Sequence, residues 1–239
     1  MRCLTLLAAC PTAEGAVLEI GSYKGRSTVI LALAAARIGE PAIVAADPLQ
    51  TPEPHLQSMY GTRPAWDEFQ ANLARTGLAD KVEFHRTTSH ELARAWPVER
   101  KLRLLFIDGD HTYPGAKADF DLFAPHLADG GIVALHDTIN AYGGPSRVFA
   151  EDVLLSPHFG AAGVCGSVGW SQYHREPATA TRHRDHKLRL YRRLSRLVSY
   201  NAFGGPLTGW RKLAFKIARS RVPRGTPELE AFRGVVTLP

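Results

Sequence analysis

Asp108-Gly-Asp110-His111 puts two carboxylates and an imidazole within four positions, and His136-Asp137 supplies a second such pair further along the chain. A strand followed by a polar turn and a helix cap would account for one aspartate, but not for this many titratable groups. Carboxylates and imidazoles held together serve two chemistries. They ligate a divalent cation, or they move a proton near neutral pH, where histidine titrates.

Both groups terminate short apolar runs, residues 104–107 (LLFI) and 132–135 (IVAL). Such runs read as strands buried on both faces, as in a parallel sheet. In open α/β sheets ligands bind beyond the carboxyl ends of the strands, so Asp108, Asp110, His111, His136 and Asp137 are expected along one edge.

Upstream, AVLEI at residues 16–20 runs into GSYKG at 21–25 and then a helix-like stretch from Ser27. Strand, glycine-rich turn and helix form the first unit of a nucleotide fold, the glycines letting backbone approach a ligand at the helix N-terminus. The spacing is E-x-G-x-x-x-G, not the G-x-G-x-x-G that accommodates a pyrophosphate. Glu19 places a carboxylate there, which suits the amine or ribose of a non-phosphorylated nucleoside ligand. A second buried strand, residues 42–46, ends in Asp47, placed to accept hydrogen bonds from ribose hydroxyls; a plain Asp47-Pro48 turn is the alternative.

Residues 48–64, with four prolines, read as a loop over the strand ends, and 66–76 as a helix with core aromatics and Gly77 as its stop. Residues 82–84 form a third strand. Thr88 or Ser89 caps the next helix with Glu91 nearby, and the same turn would lie beside an adenine. A helix over 116–127 is expected to end at Asp129-Gly-Gly131, another over 148–155, and a hairpin over 160–173.

Composition is that of an ordinary globular chain, with 45% hydrophobic and 22% charged residues in 239. The N-terminal segment weakly mimics a signal peptide, but its apolar part is short and a strand begins almost at once. Cys3, Cys10 and Cys165 have neither metal-ligand spacing nor an even count for a disulfide framework, so a reducing cytoplasm is the expected location. The net charge of +6 belongs to the tail: between Arg182 and Arg224 thirteen Lys or Arg face the single Asp185. Residues 187–200 and 210–219 read as two basic amphipathic helices that either dock on the domain or a partner subunit, or lie on an anionic membrane. The charge is local, and no nucleic-acid partner is expected.

Together VLEIGSYKGRS, VAADP, LLFIDGDHTY and DGGIVALHDT, covering residues 16–175, resemble the class I S-adenosylmethionine-dependent methyltransferases. More narrowly they resemble the D-G-D-H branch of catechol-type, sugar and macrolide O-methyltransferases. The resemblance implies an α/β, doubly wound, Rossmann-like sheet of seven strands, mostly parallel with the last antiparallel. A methyltransferase domain over 1–178 would carry a basic helical extension over 179–239. It also implies S-adenosylmethionine bound by Glu19, Gly21, Ser22, Gly25, Asp47, Ser89 and Asp110, a divalent cation (magnesium or manganese) held by Asp108, His136 and Asp137, and His111 with Asp108 as the catalytic pair. His136 departs from the oxygen ligands usual there; imidazole shifts preference toward manganese, iron, nickel or zinc, or His136 stands behind the ligands. The acceptor would be a hydroxyl of a sugar, glycosylated or polyketide-type small molecule, the protein cytoplasmic or peripheral at a membrane, and a homo-oligomer the default. The rival readings are a catalytically inactive cofactor-binding scaffold, an RNA methyltransferase and a nicotinamide-dependent oxidoreductase.

Overall fold

A computed structural model describes residues 2–49, 64–201 and 207–238; the expected loop over 48–64 lies almost wholly outside them. The strands are β1 (Ala16–Ile20), β2 (Ile43–Ala46), β3 (Val82–His85), β4 (Leu102–Ile107), β5 (Leu127–Leu135), β6 (Phe159–Cys165) and β7 (Val168–Tyr173). They form one sheet in the order β3-β2-β1-β4-β5-β7-β6, parallel except for β7, which runs antiparallel to both neighbours. The expected sheet is therefore present. Its strand order reverses between β1 and β4, which fixes the crevice where a ligand can sit.

The contiguous apolar sequences follow from this placement: β2 and β4 are buried at every position because helices cover both faces. Helices α1 (Arg2–Ala9), α2 (Arg26–Arg37) and α3 (Ala65–Thr76) bury Leu7, Leu31 and Phe69 on one face. On the other, α4 (Ser89–Ala95) and α5 (Tyr113–Phe123) bury Leu92 and Phe123, while α6 (Gly143–Arg147) leads into a π-helical turn, Val148–Val153, that buries Phe149. Trp66 stacks on Phe69 with Phe84 alongside, so these aromatics are core, as read. Gly77 ends α3 at φ 67°, the left-handed stop its sequence indicated.

The helix expected over 116–127 begins at Tyr113, and the one expected over 148–155 begins at Gly143 and ends at Val153; two further differences have a local cause. β4 extends back to include Arg103, which is 2% exposed yet tolerated, since its guanidinium donates to the Ala8 carbonyl at the C-terminal end of α1. Asp129-Gly-Gly131 does not end a helix but lies inside β5, because Pro125 closes the helical run and Thr12 hydrogen-bonds the Gly130 carbonyl.

The tail divides between the faces. Helix α7 (Arg184–Asn201) buries Leu190, Leu194 and Leu197 and α8 (Gly209–Ser220) buries Phe215 on the face of α5, whereas α9 (Leu229–Val235) crosses to the other and sets Phe232 5.1 Å from the Trp170 ring. There the buried Gln172 amide makes two hydrogen bonds to Thr237, donating to its carbonyl (2.7 Å) and accepting from its N–H (2.8 Å). Among the described residues no helix is long and apolar enough to cross a membrane.

Candidate active site

The crevice between β1 and β4 opens into a cavity of about 900 Å³, lined among others by Gly21, Ser22, Asp47, Ser89, Asp108 and Asp110. Five of the seven residues read as cofactor contacts therefore meet one space, but Glu19 and Gly25 do not line it. Glu19 is fully buried beneath the loop and accepts a hydrogen bond from Thr28 on α2. Burial pushes its carboxyl up to about 7, against the pull of the Ser27, Thr28 and Ser22 hydroxyls. Its role in the fold is to fasten α2 to β1.

The two loop glycines answer to the protein's own packing. A Cβ on Gly21 (φ 87°) would lie 2.2 Å from the Asp108 carbonyl oxygen, and one on Gly25 (φ 79°) 2.9 Å from the Phe69 ring. Gly21 thus lets the β1 loop pass directly against the end of β4. Asp47 accepts the backbone N–H of Tyr23 at 2.8 Å on one carboxylate oxygen and that of Leu49 at 2.7 Å on the other, tying the loops after β1 and β2 together. Each oxygen retains further acceptor capacity, and Asp47 lines the cavity. The non-glycine residues with positive φ among those described, Tyr23, Leu49 and Asp137, all stand on loops at this edge of the sheet.

Thr88, not Ser89, caps α4, completing a capping box with Glu91. That leaves Ser89 in the cavity wall beside Asp119, a carboxylate of α5 that burial pushes up and the Ser89 hydroxyl pulls down. Asp119 was not foreseen. Its signal was an acid on the helix face carrying Ala116, Phe120 and Phe123, where an apolar residue is the rule. Asp110 is exposed and closes an Asx turn, accepting from the N–H and hydroxyl of Thr112.

At the mouth four side chains converge. Nδ1 of His136 lies 3.1 Å from Oδ1 of Asp108 and 3.1 Å from Oδ1 of Asp137, and Nε2 of His111 lies 3.2 Å from Oδ2 of Asp137 and 3.6 Å from Oδ1 of Asp108. Ligating atoms of Asp108, His111 and His136 all fall within 4.8 Å of one another. So His111, read as the catalytic base and not as a ligand, is itself within reach of a shared ion. The remaining ring nitrogen of His136 sits 3.2 Å from the Ser167 hydroxyl, which fixes the orientation of the imidazole. The hydrogen bond to Asp137 raises the His111 pKa against burial, with Asp108 adding to it. For His136 burial pulls down most strongly, but Asp108 and Asp137 together outweigh it. Asp137 is lowered although burial opposes this, through His111, His136 and Asn140.

A second cavity, about 640 Å³, meets the first at His111 and is lined by Tyr113, Arg147, Tyr191 and Ser195 among others, two of them from α7.

The family model described as a methyltransferase domain matches residues 18–138, just over half of the chain. The chain belongs to this methyltransferase family. Solved structures similar to the methyltransferase include cofactor-bound Rv0187 from MTB, 22% identical over 72% of this chain and 78% of that one, with a TM-score of 0.54. The O-methyltransferase TomG from Streptomyces achromogenes, involved in tomaymycin synthesis and solved with SAM, is 19% identical over 72% and 78% of the two chains, TM-score 0.53. A methyltransferase from Geobacter sulfurreducens is 18% identical over 72% and 77%, TM-score 0.53. At these identities the likeness is one of fold.

Proposed function

We propose that this methyltransferase transfers the methyl group of S-adenosylmethionine to a hydroxyl oxygen of a small molecule, assisted by a divalent cation, in the manner of the D-G-D-H branch. The observation that carries the reading is that His111 stands where the two cavities meet, between a nucleoside-sized space and a separate polar one. The larger cavity suits the cofactor: Asp47 faces a ribose, Ser89 an adenine, and Asp110 and the Gly21-Ser22 loop the methionine end. Likeness to TomG, an O-methyltransferase, supports oxygen as the accepting atom.

The acceptor would enter from the second cavity, whose hydroxyl groups and tyrosine rings suit a sugar, glycosylated or polyketide-type substrate. S-adenosylmethionine held in the larger cavity would supply an activated methyl to that oxygen, with S-adenosylhomocysteine as the leaving group. The released proton passes to His111, held by Asp137. Asp108, Asp137 and the His136 imidazole would hold the cation, a donor set that shifts preference from magnesium toward manganese, iron, nickel or zinc. A bound cation would lower the pKa of the accepting hydroxyl. The remaining work is alignment, since the methyl donor is already activated.

All the side chains named for the cofactor and cation fall within residues 1–178, and residues 179–239 would add a wall of the acceptor cavity through Tyr191 and Ser195. The test is calorimetry with S-adenosylmethionine and with NAD, followed by turnover on a panel of hydroxyl acceptors. Tighter binding of NAD would overturn the reading, and cofactor binding without turnover on any acceptor would favour the scaffold alternative.

A further inference from the structure

The two tail helices look alike in sequence and are treated differently by the fold. In α7 the apolar stripe of Leu190, Leu194 and Leu197 is spent on the core, and Arg189, Arg192, Arg193 and Arg196 face water. In α8 only Phe215 is buried. Trp210, Leu213 and Ile217 are left 74%, 61% and 46% exposed. Their spacing of three and four puts them on a single stripe, turned away from the side that carries Phe215 and the half-buried Ala218. The helix therefore has two apolar sides, and the fold uses one.

Charge frames the unused side. At the helical repeat Lys216 borders the stripe on one flank with Lys212 beyond it, and Arg221 borders it on the other; all three are exposed. From Arg182 to Arg224 the chain holds thirteen basic residues against one acid. An exposed tryptophan with aliphatic neighbours, rimmed by basic side chains on a helix lying along the protein surface, matches the interface between acyl chains and anionic headgroups. A protein partner's apolar surface would match the stripe but gives no reason for the uniform positive rim.

We propose that α8 is a membrane-interface helix that seats the protein on an anionic lipid surface, with Trp210, Leu213 and Ile217 entering the headgroup region and Lys212, Lys216 and Arg221 on lipid phosphates. The same helix is tied to the catalytic mouth. Arg219 donates to the side-chain oxygen of Asn140 at 3.4 Å, Asn201 at the end of α7 donates to the Asn140 carbonyl at 3.3 Å, and Asn140 in turn donates to Asp137. The seating itself does not depend on the methyl-transfer reading.

The experiment is flotation of the full chain with vesicles of phosphatidylcholine alone or mixed with phosphatidylglycerol, alongside Trp210→Ala/Leu213→Ser/Ile217→Ser and Lys212→Gln/Lys216→Gln. The native chain is expected to float with the mixed vesicles and to be released by high salt. The stripe variant should bind roughly tenfold more weakly or worse, and the lysine variant roughly 10- to 30-fold more weakly. Since these side chains are exposed, the thermal midpoint should not move, which separates lost binding from lost folding. A native chain that ignores mixed vesicles would overturn the proposal. So would a stripe variant that floats as well as the native chain, which would mean diffuse charge adsorption. A native dimer that the stripe variant converts to monomer without lipid would assign the stripe to a second copy of the chain instead.

Discussion

Nε2 of His111 and Oδ2 of Asp137 are 3.2 Å apart, linking the loop after β4 to the loop after β5. The same aspartate lies 3.1 Å from His136, so one carboxylate serves both imidazoles. If the group holds a cation for catalysis, excess chelator removes methyl transfer and added manganese or magnesium restores it. Asp108→Ala should stay inactive at every metal concentration. His111→Ala should lose about 10²–10⁴ in rate if it acts as the base. Full activity in excess chelator would leave His111 and Asp137 working as a metal-free pair.

Asp47 joins two loops and faces the cavity. Asp47→Ala should weaken S-adenosylmethionine binding by about 2–3 kcal/mol, the magnitude of losing charge-assisted hydrogen bonds to the ribose. Calorimetry reads it directly, and unchanged affinity would remove Asp47 from the cofactor site.

Glu19 gives a pH signature. Its carboxyl is raised from 4.5 to about 7 by burial, so in this interval the folded protein holds a proton that the unfolded chain has released. Stability is therefore lost as pH rises from about 4.5 through 7, by on the order of 3 kcal/mol in total. In Glu19→Gln that slope should flatten and stability above pH 7 should increase, as urea titrations at several pH values would show. S-adenosylmethionine affinity should change little, because Glu19 does not line the cavity.

Lys187 has the opposite slope. It is buried, donates to the Ser156 carbonyl at 2.6 Å, and burial lowers its pKa from 10.5 to about 8. The unfolded chain then holds the extra proton between those values, so stability rises as pH climbs from about 8 to 10.5. Thermal melts of the native protein and Lys187→Met across that range should diverge by a pH-dependent amount; parallel curves would mean the amine is not desolvated.

Leu194 is fully buried among core residues. Leu194→Ala should cost about 2–5 kcal/mol, as for any core leucine. A loss below about 1 kcal/mol, the scale of surface changes, would show that α7 adds little to the stability of the sheet domain.

The strands and their charged ends were legible because parallel strands covered on both faces must be continuous apolar runs, so LLFIDGD and IVALHD mark their own boundaries. The hairpin of β6 and β7 and the stop at Gly77 were legible through turn chemistry. Asp119 was not, because helical spacing alone does not say that a cavity interrupts the core beneath that face. Nor could spacing reveal that Gly21 is required by the Asp108 carbonyl, a contact between segments far apart in the chain. The tail was ambiguous for a similar reason: α7 and α8 share a pattern, and only the three-dimensional fold decides which apolar stripe finds a partner.

The clasp of Thr237 on Gln172, with Phe232 against Trp170, also orders events in time. A ribosome releases β6 and β7 some sixty residues before the segment that closes over them, so the nascent chain carries the Trp170 side of this hairpin uncovered while α7 to α9 are still being made. Such exposed apolar surface is where growing chains meet chaperones or one another. Yield in cells should therefore be more sensitive to substitution of Phe232 than the unfolding free energy of the finished protein would suggest.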